Sequence, residues 1–195
     1  MGVEYELKFR ATEPVLSAIR EAYGPDGQAY RMRTTYYDTP TGQLSCRKYT
    51  LRHRMENDKH VCTLKAPAQG YGRGEWETEE ADIFAAISAL RELGAPEDLP
   101  ELTAEGLVAV CGAAFDRFAI CVQLSDCTLE LALDRGILTG GGRQIPLCEV
   151  EVELKSGDSR GADRFAAELA RQYGLLPETK SKFRRALALS KGENL

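Results

Sequence analysis

The chain has 195 residues, enough for one domain with a full core, and its 25 Lys and Arg against 30 Asp and Glu give a net charge of −5. That balance removes any global electrostatic reason to bind nucleic acid or an acidic membrane, so an anion site must be local. The six cysteines lie on largely apolar stretches without a Cys-x-x-Cys pair, and no apolar run reaches the roughly eighteen residues of a spanning helix. With no signal peptide in front of them, the expectation is one soluble, cytoplasmic domain over residues 1–195 with reduced core thiols.

Glu4, Glu6 and Lys8 alternate with Val3, Tyr5, Leu7 and Phe9, the period of a strand that puts its charges on one face. Thr12, Glu13 and Pro14 then read as the cap, acidic first turn and early proline of a helix that runs to Tyr23 and stops at Gly24-Pro25. Extended sequence over 29–38, a turn at Thr39-Pro40-Thr41-Gly42 and a strand from Leu44 to Met55 make a hairpin. Val61 to Pro67 and Arg73 to Glu79 read as two more strands around a turn at Gly70 to Gly74.

Two helices are predicted over Asp82 to Leu93 and Thr103 to Cys111, separated by the prolines of the Ala95 to Pro100 stretch. Three strands follow, Phe115 to Leu124, Thr128 to Leu138 and Ile145 to Lys155, the last two joined through Gly140-Gly141-Gly142. No helix or Gly-Lys-Ser/Thr follows that glycine run, so it is assigned no phosphate-binding role. A helix from Arg160 to Tyr173 and the segment Ser181-Lys182-Phe183-Arg184-Arg185, leading into apolar sequence, complete the chain.

Parity identifies the chemistry. Glu149, Glu151 and Glu153 share one face of their strand with no cation between them. Carboxylates about 5 Å apart repel by about 3 kcal/mol at an effective dielectric of 20. A hard divalent cation relieves that repulsion, and neutralising Glu6 or Glu151 is expected to leave the metal-free fold at least as stable. Lys48, Thr50, Arg52 and Arg54 share a basic face, with Tyr49, Leu51, His53 and Met55 on the other. Lys65 and Arg117 add cations flanked by apolar residues. Charge opposite an apolar face on several strands fits a closed barrel with a polar lumen and helices outside, where cations hold a polyphosphate and acids hold a metal. His53 has the wrong parity for a catalytic base and His60 sits in a polar turn, which leaves metal-bound water as the attacking group.

Glu4-x-Glu6-x-Lys8, Tyr36-Tyr37-Asp38-Thr39, Leu51-Arg52-His53-Arg54, Thr63-Leu64-Lys65, Arg73-x-Glu75-x-Glu77, Leu133-Asp134-Arg135-Gly136, Glu149-x-Glu151-x-Glu153-x-Lys155 and Ser181-Lys182 occur in this order. The ordered set resembles the CYTH superfamily, the triphosphate tunnel metalloenzymes. The resemblance implies an α+β fold built on a closed eight-stranded antiparallel tunnel. It implies triphosphate binding by Lys8, Arg52, Arg54, Lys65, Arg117 and Lys182, with Arg73 joining the basic lining. Mg²⁺ or Mn²⁺ would be held by Glu4, Glu6 and two of Glu149, Glu151 and Glu153, with Asp134 nearby; Glu4, Glu6, Lys8, Glu151 and Glu153 would carry catalysis. The implied activity is metal-dependent hydrolysis of inorganic triphosphate or a related triphosphate by a monomer or homodimer. The alternatives are class IV-type conversion of ATP to cyclic AMP and pyrophosphate, or hydrolysis of thiamine triphosphate.

Overall fold

Strict alternation along the strands decides which face of the sheet turns inward, and the structure follows it. The computed structural model describes residues 5–24, 26–67 and 73–193. In chain order the elements are β1 (Glu6–Arg10), α1 (Glu13–Tyr23), β2 (Gln28–Asp38), α2 (Gln43–Cys46), β3 (Thr50–Glu56), β4 (Lys59–Pro67) and β5 (Arg73–Glu79). Then come α3 (Ile83–Glu92), α4 (Leu99–Leu102), β6 (Val108–Gln123), β7 (Cys127–Gly140), β8 (Arg143–Gly157), α5 (Ser159–Tyr173), β9 (Leu176–Pro177) and α6 (Lys182–Lys191).

The strands form one sheet in the order β5-β4-β3-β2-β6-β7-β8-β1-β9, and every pairing is antiparallel. The closed eight-stranded barrel is therefore corrected to a nine-stranded open sheet. At the outer edge of β1, Phe9 and Arg10 pair with Pro177 and Leu176 of β9. Among the described residues no pairing joins β5 to β1. The sheet still curls: β5 residues Glu75 and Glu77 line the same cavity as β1 residues Glu6 and Lys8.

Helices α1 and α5 cover the convex face of β1 and β6–β8, burying Leu16, Ile19, Ala166 and Leu169 against Leu129, Leu131, Val150 and Val152. Helices α2–α4 cover β3–β5, where Leu44, Ile87, Leu90 and Leu99 pack on Leu51, Leu64 and Trp76. The sixth helix departs from the expectation of helices outside. Ala186, with Phe183 and Leu187 beside it, packs on Met32, Tyr36, Phe115 and Leu138, so α6 lies on the concave side.

Two segments differ from their sequence reading. The strand expected from Leu44 begins only at Thr50, because Asp38 accepts the amides of Thr39 (2.8 Å), Leu44 (2.9 Å) and Ser45 (3.2 Å) and curls the chain into α2. The helix expected over Thr103–Cys111 is instead a turn followed by β6: Val108 pairs with Asp38 and the strand continues through Gln123. A long ladder with β2 outweighs the modest helix preference of that Ala- and Leu-containing stretch. All six cysteines are free thiols, with Cys46 and Cys121 exposed rather than in the core. The turn expected at Gly70 lies outside the described residues, and among those described no helix is long and apolar enough to cross a membrane.

Leu131 is fully buried in the convex core. Leu131→Ala should lower the unfolding free energy by about 2–5 kcal/mol. Phe84→Ala, at a side chain 56% exposed on α3, should stay within about 0.5 kcal/mol. Urea denaturation of both variants measures the difference.

Candidate active site

The concave face encloses a cavity of about 690 Å³. Lys8, Arg52, Arg54, Lys65, Arg117 and Lys182 all line it, as do Glu6, Glu151 and Glu153. Asp134 and Glu149 lie beneath its floor with no exposed surface. Glu4 and the side chain of Arg73 fall outside the described residues.

Register builds the floor. Lys8 opposes Glu151, Glu6 opposes Glu153, and Arg10 opposes Glu149 on the β1–β8 ladder; Arg117 opposes Asp134 between β6 and β7. Arg117 grips Asp134 with two bonds of 2.7 Å and also donates to Glu151. From the concave side, the Ser181 hydroxyl caps α6 by accepting the Arg184 amide at 3.2 Å, which fixes where Lys182 enters. The Lys182 ammonium lies 2.8 Å from Asp134, 2.5 Å from Glu149 and 2.5 Å from Glu151. Arg185, on the same helix face, donates to Glu149 and lies 3.7 Å from Glu178, which Arg10 holds at 2.7 Å.

Three buried acids thus meet three cations, Lys182, Arg117 and Arg185. Burial alone would lower the Lys182 value, but Asp134, Glu151 and Glu149 outweigh it and hold the ammonium well above the ordinary lysine value. Burial alone would raise Glu151, but Lys182 and Arg117 keep it well below the usual carboxylate range. Glu149 goes the other way, its burial outweighing its cations. The stability expectation for Glu151 is corrected accordingly: its charge is compensated from within the chain, so Glu151→Gln breaks buried ion pairs instead of relieving repulsion.

Around the cavity wall the ion pairs are longer. Arg52 and Lys65 approach Glu75 at only 3.7 and 3.4 Å, Lys8 approaches Glu6 at 3.9 Å, and Arg54 approaches Glu56 at 3.7 Å. Burial and the neighbouring Arg52 charge push Arg54 down to about 10, still a cation at neutral pH. The buried Nε of Arg52 has no hydrogen-bond partner among the described residues. A buried guanidinium donor left unmatched beside a second guanidinium is a seat for an oxyanion.

Two acid groupings bear on a metal. Oxygens of Asp134, Glu149 and Glu151 converge within 4.8 Å, but the Lys182 ammonium already sits against all three. Glu6 is different: it lies on the cavity wall with Glu151 and directly across the ladder from Glu153. Clustered carboxylates favour a proton or a cation between them. This all-oxygen donor set fits a hard divalent ion.

His53 is absent from the cavity lining, as parity requires, and bonds to His60, which lies on β4 opposite Met55 and not in the expected turn. Sequence reasoning did not single out Arg185 or Glu178. Arg185 carried a usable signal, its i+3 spacing from Lys182, which places both on one helix face.

The depressed Glu151 value has a defined sign. A carboxylate whose folded value lies below its unfolded value of about 4.3 adds stability that is present above that pH and lost as pH falls through the folded value. The raised Lys182 value adds stability that is lost only as pH climbs above about 10.4. Glu149, raised by its burial, contributes with the opposite sign, so urea midpoints should fall only on the acid side of the ordinary carboxylate value, where Glu151 resists protonation in the folded state; a midpoint constant down to about pH 3 would contradict the buried pairing.

Residues 2–187 match the family model described as CYTH domain. An inorganic triphosphatase of Haemophilus influenzae is 29% identical over 160 residues, covering 80% of this chain and 45% of the relative. The chain therefore spans about half the length of that relative. Among solved structures, a Hippeastrum protein described as a candidate adenylyl cyclase with a dominant triphosphatase activity aligns over 98% of this chain and 97% of its own, with a TM-score of 0.67 and 19% identity. A candidate adenylate cyclase from Bacillus halodurans aligns over 94% of this chain and 96% of its own, with a TM-score of 0.59 and 16% identity. At those identities the structures show a shared fold, and the family match extends across nearly the whole sequence: this chain belongs to the CYTH domain family.

Proposed function

We propose that the protein is a metal-dependent hydrolase of inorganic triphosphate or a closely related triphosphate. The unmatched Nε of Arg52 beside Arg54, in a cavity that Lys8 and Lys65 also line, carries this reading. Four cations facing one cavity match a ligand bearing several negative oxygens in a row. The inorganic triphosphatase of Haemophilus influenzae and the Hippeastrum protein with triphosphatase activity support the reading.

In this mechanism Arg52, Arg54 and Lys65 bind the chain of phosphates from β3 and β4, and Lys8 and Arg117 neutralise charge from the facing wall. Because rigid strands preset these donors, little reorganisation accompanies charge shift toward the leaving phosphate. Glu6, Glu151 and Glu153, with Glu4 on the same strand parity, would hold Mg²⁺ or Mn²⁺, which supplies electrostatic stabilisation of phosphoryl oxygens and a more acidic bound water. Lys182 and Arg117 keep Glu151 ionised and fix its direction. Phe183, Met32 and Tyr36 form the less polar part of the lining and limit bulk water.

A second reading keeps the same cavity but has the ATP ribose hydroxyl attack the α-phosphate. Its support is the cyclase description carried by several structural neighbours. Product identity separates the two: orthophosphate from the first, cyclic AMP with pyrophosphate from the second.

With Mg²⁺ or Mn²⁺ the protein should release orthophosphate from tripolyphosphate, and a chelator in excess should abolish release. Undiminished turnover in chelator would sink metal dependence; cyclic AMP as the main product from ATP would favour the second reading. Arg52→Ala should lower kcat/KM about 10²–10³-fold by deleting a charge-stabilising donor. His53→Ala should leave it unchanged, and equal losses from both variants would refute the assignment of faces.

A further inference from the structure

Glu178 is a buried carboxylate for which the cavity chemistry has no direct use. It does not line the cavity, yet its side chain is only 1% exposed. It follows β9 directly, and its backbone amide donates to the Lys8 carbonyl at 2.8 Å. The edge of β1 is thereby held at the residue that opposes Glu151 on the β1–β8 ladder.

The side chain meets three further partners. Its Oε1 accepts the Lys180 amide at 2.8 Å, which shapes the turn leading to the Ser181 cap of α6. Its Oε2 accepts Arg10 Nε at 2.7 Å and lies 3.7 Å from Arg185. Burial alone would raise the Glu178 value, but the Arg10 bond, the Lys180 amide and the Arg185 charge hold it below the ordinary carboxylate range. A fixed anion therefore stands at the entrance to α6.

From that anion the charges alternate toward the cavity. Arg185 donates to Glu149, Glu149 shares the Lys182 ammonium with Glu151, and Glu151 reaches the cavity surface. Arg185 and Lys182 lie three positions apart on one face of α6, so a shift of one carries the other. Removing the carboxylate leaves Arg185 with Glu149 alone and releases the turn before α6, which loosens the aim of Lys182 at Glu151.

We propose that Glu178 is a positioning residue for the cavity reaction, acting through Arg185, Glu149 and Lys182 to hold Glu151 in the direction a metal ligand needs. The inference rests on the reading of the cavity as a metal-dependent triphosphatase site. Arg52, Arg54 and Lys65 stand on β3 and β4 rather than on α6, so the effect of Glu178 falls on metal binding and turnover and leaves triphosphate binding largely intact.

Two variants test this. Glu178→Ala removes the carboxylate, and Glu178→Gln keeps its size and an acceptor for the Lys180 amide while removing the charge. Hydrogen exchange without metal or substrate should be roughly tenfold faster at the α6 amides of both variants, with β6 and β7 unchanged. Free Mn²⁺, read by electron paramagnetic resonance without tripolyphosphate, should report metal binding weakened roughly 10–100-fold. At saturating metal, kcat for tripolyphosphate should fall roughly tenfold while KM stays within about twofold. Arg185→Met should weaken Mn²⁺ binding similarly, and combining it with Glu178→Gln should add less than about twofold, because both changes break one line of contacts. Losses that multiply in the double variant would overturn the route through Arg185. Mn²⁺ binding and kcat in Glu178→Gln equal to those of the unaltered protein would overturn the proposal, whatever happens to the melting temperature. An unaltered protein that binds Mn²⁺ but releases no orthophosphate would overturn the triphosphatase reading alone, with the Mn²⁺ comparison still deciding Glu178; absence of Mn²⁺ binding would overturn both.

Discussion

The Lys182 ammonium, seated against Asp134, Glu149 and Glu151, is the contact on which the concave face depends. Acids from two neighbouring strands converge there, and sheet geometry leaves them no room to separate. A buried pair of this kind adds little net stability over apolar packing, but removing one partner strands a charge and costs about 3–5 kcal/mol. Its effect is positional: it fixes α6 over the floor and holds Glu151 ionised at the cavity surface. The approach of α6 makes a further demand. A Cβ on Gly140 would sit 2.3 Å from the Ala186 carbonyl, so the glycine run, which lacks any phosphate-loop context, is needed for helix seating.

Two charge regimes then share one cavity. The floor is balanced, with Lys182, Arg117 and Arg185 matched to three acids. Along the wall Arg52 has a buried Nε without a hydrogen-bond partner among the described residues, as Arg185 has at the floor, and burial with the neighbouring Arg52 charge lowers Arg54. A floor locked by buried ion pairs resists reorganisation while the wall cations face the cavity, an arrangement suited to electrostatic catalysis of phosphoryl transfer.

Much of this was legible because a strand's period of two admits no ambiguity of face. Glu6, Lys8, Arg52, Arg54, Lys65, Glu151 and Glu153 all reach the cavity, and His53 does not. Pairings distant in sequence were not legible. Glu149 finds Arg185, 36 residues away, only after α6 folds back into the concave face. The ninth strand was not legible for a similar reason, since nothing local marks Leu176 and Pro177 as the segment that pairs with Phe9 and Arg10 of β1. The stretch after Thr103 misled because its composition suits a helix while its partner, β2, lies some seventy positions earlier.

A double-mutant cycle on Lys182 and Asp134, read by urea denaturation at neutral pH, tests the central contact most directly. Lys182→Met alone should cost about 3–5 kcal/mol. Adding Asp134→Asn should cost less than the sum of the two single changes, leaving a coupling of about 1–3 kcal/mol. Additivity within about 0.5 kcal/mol would show that the ammonium and the carboxylate act independently, and would contradict the account.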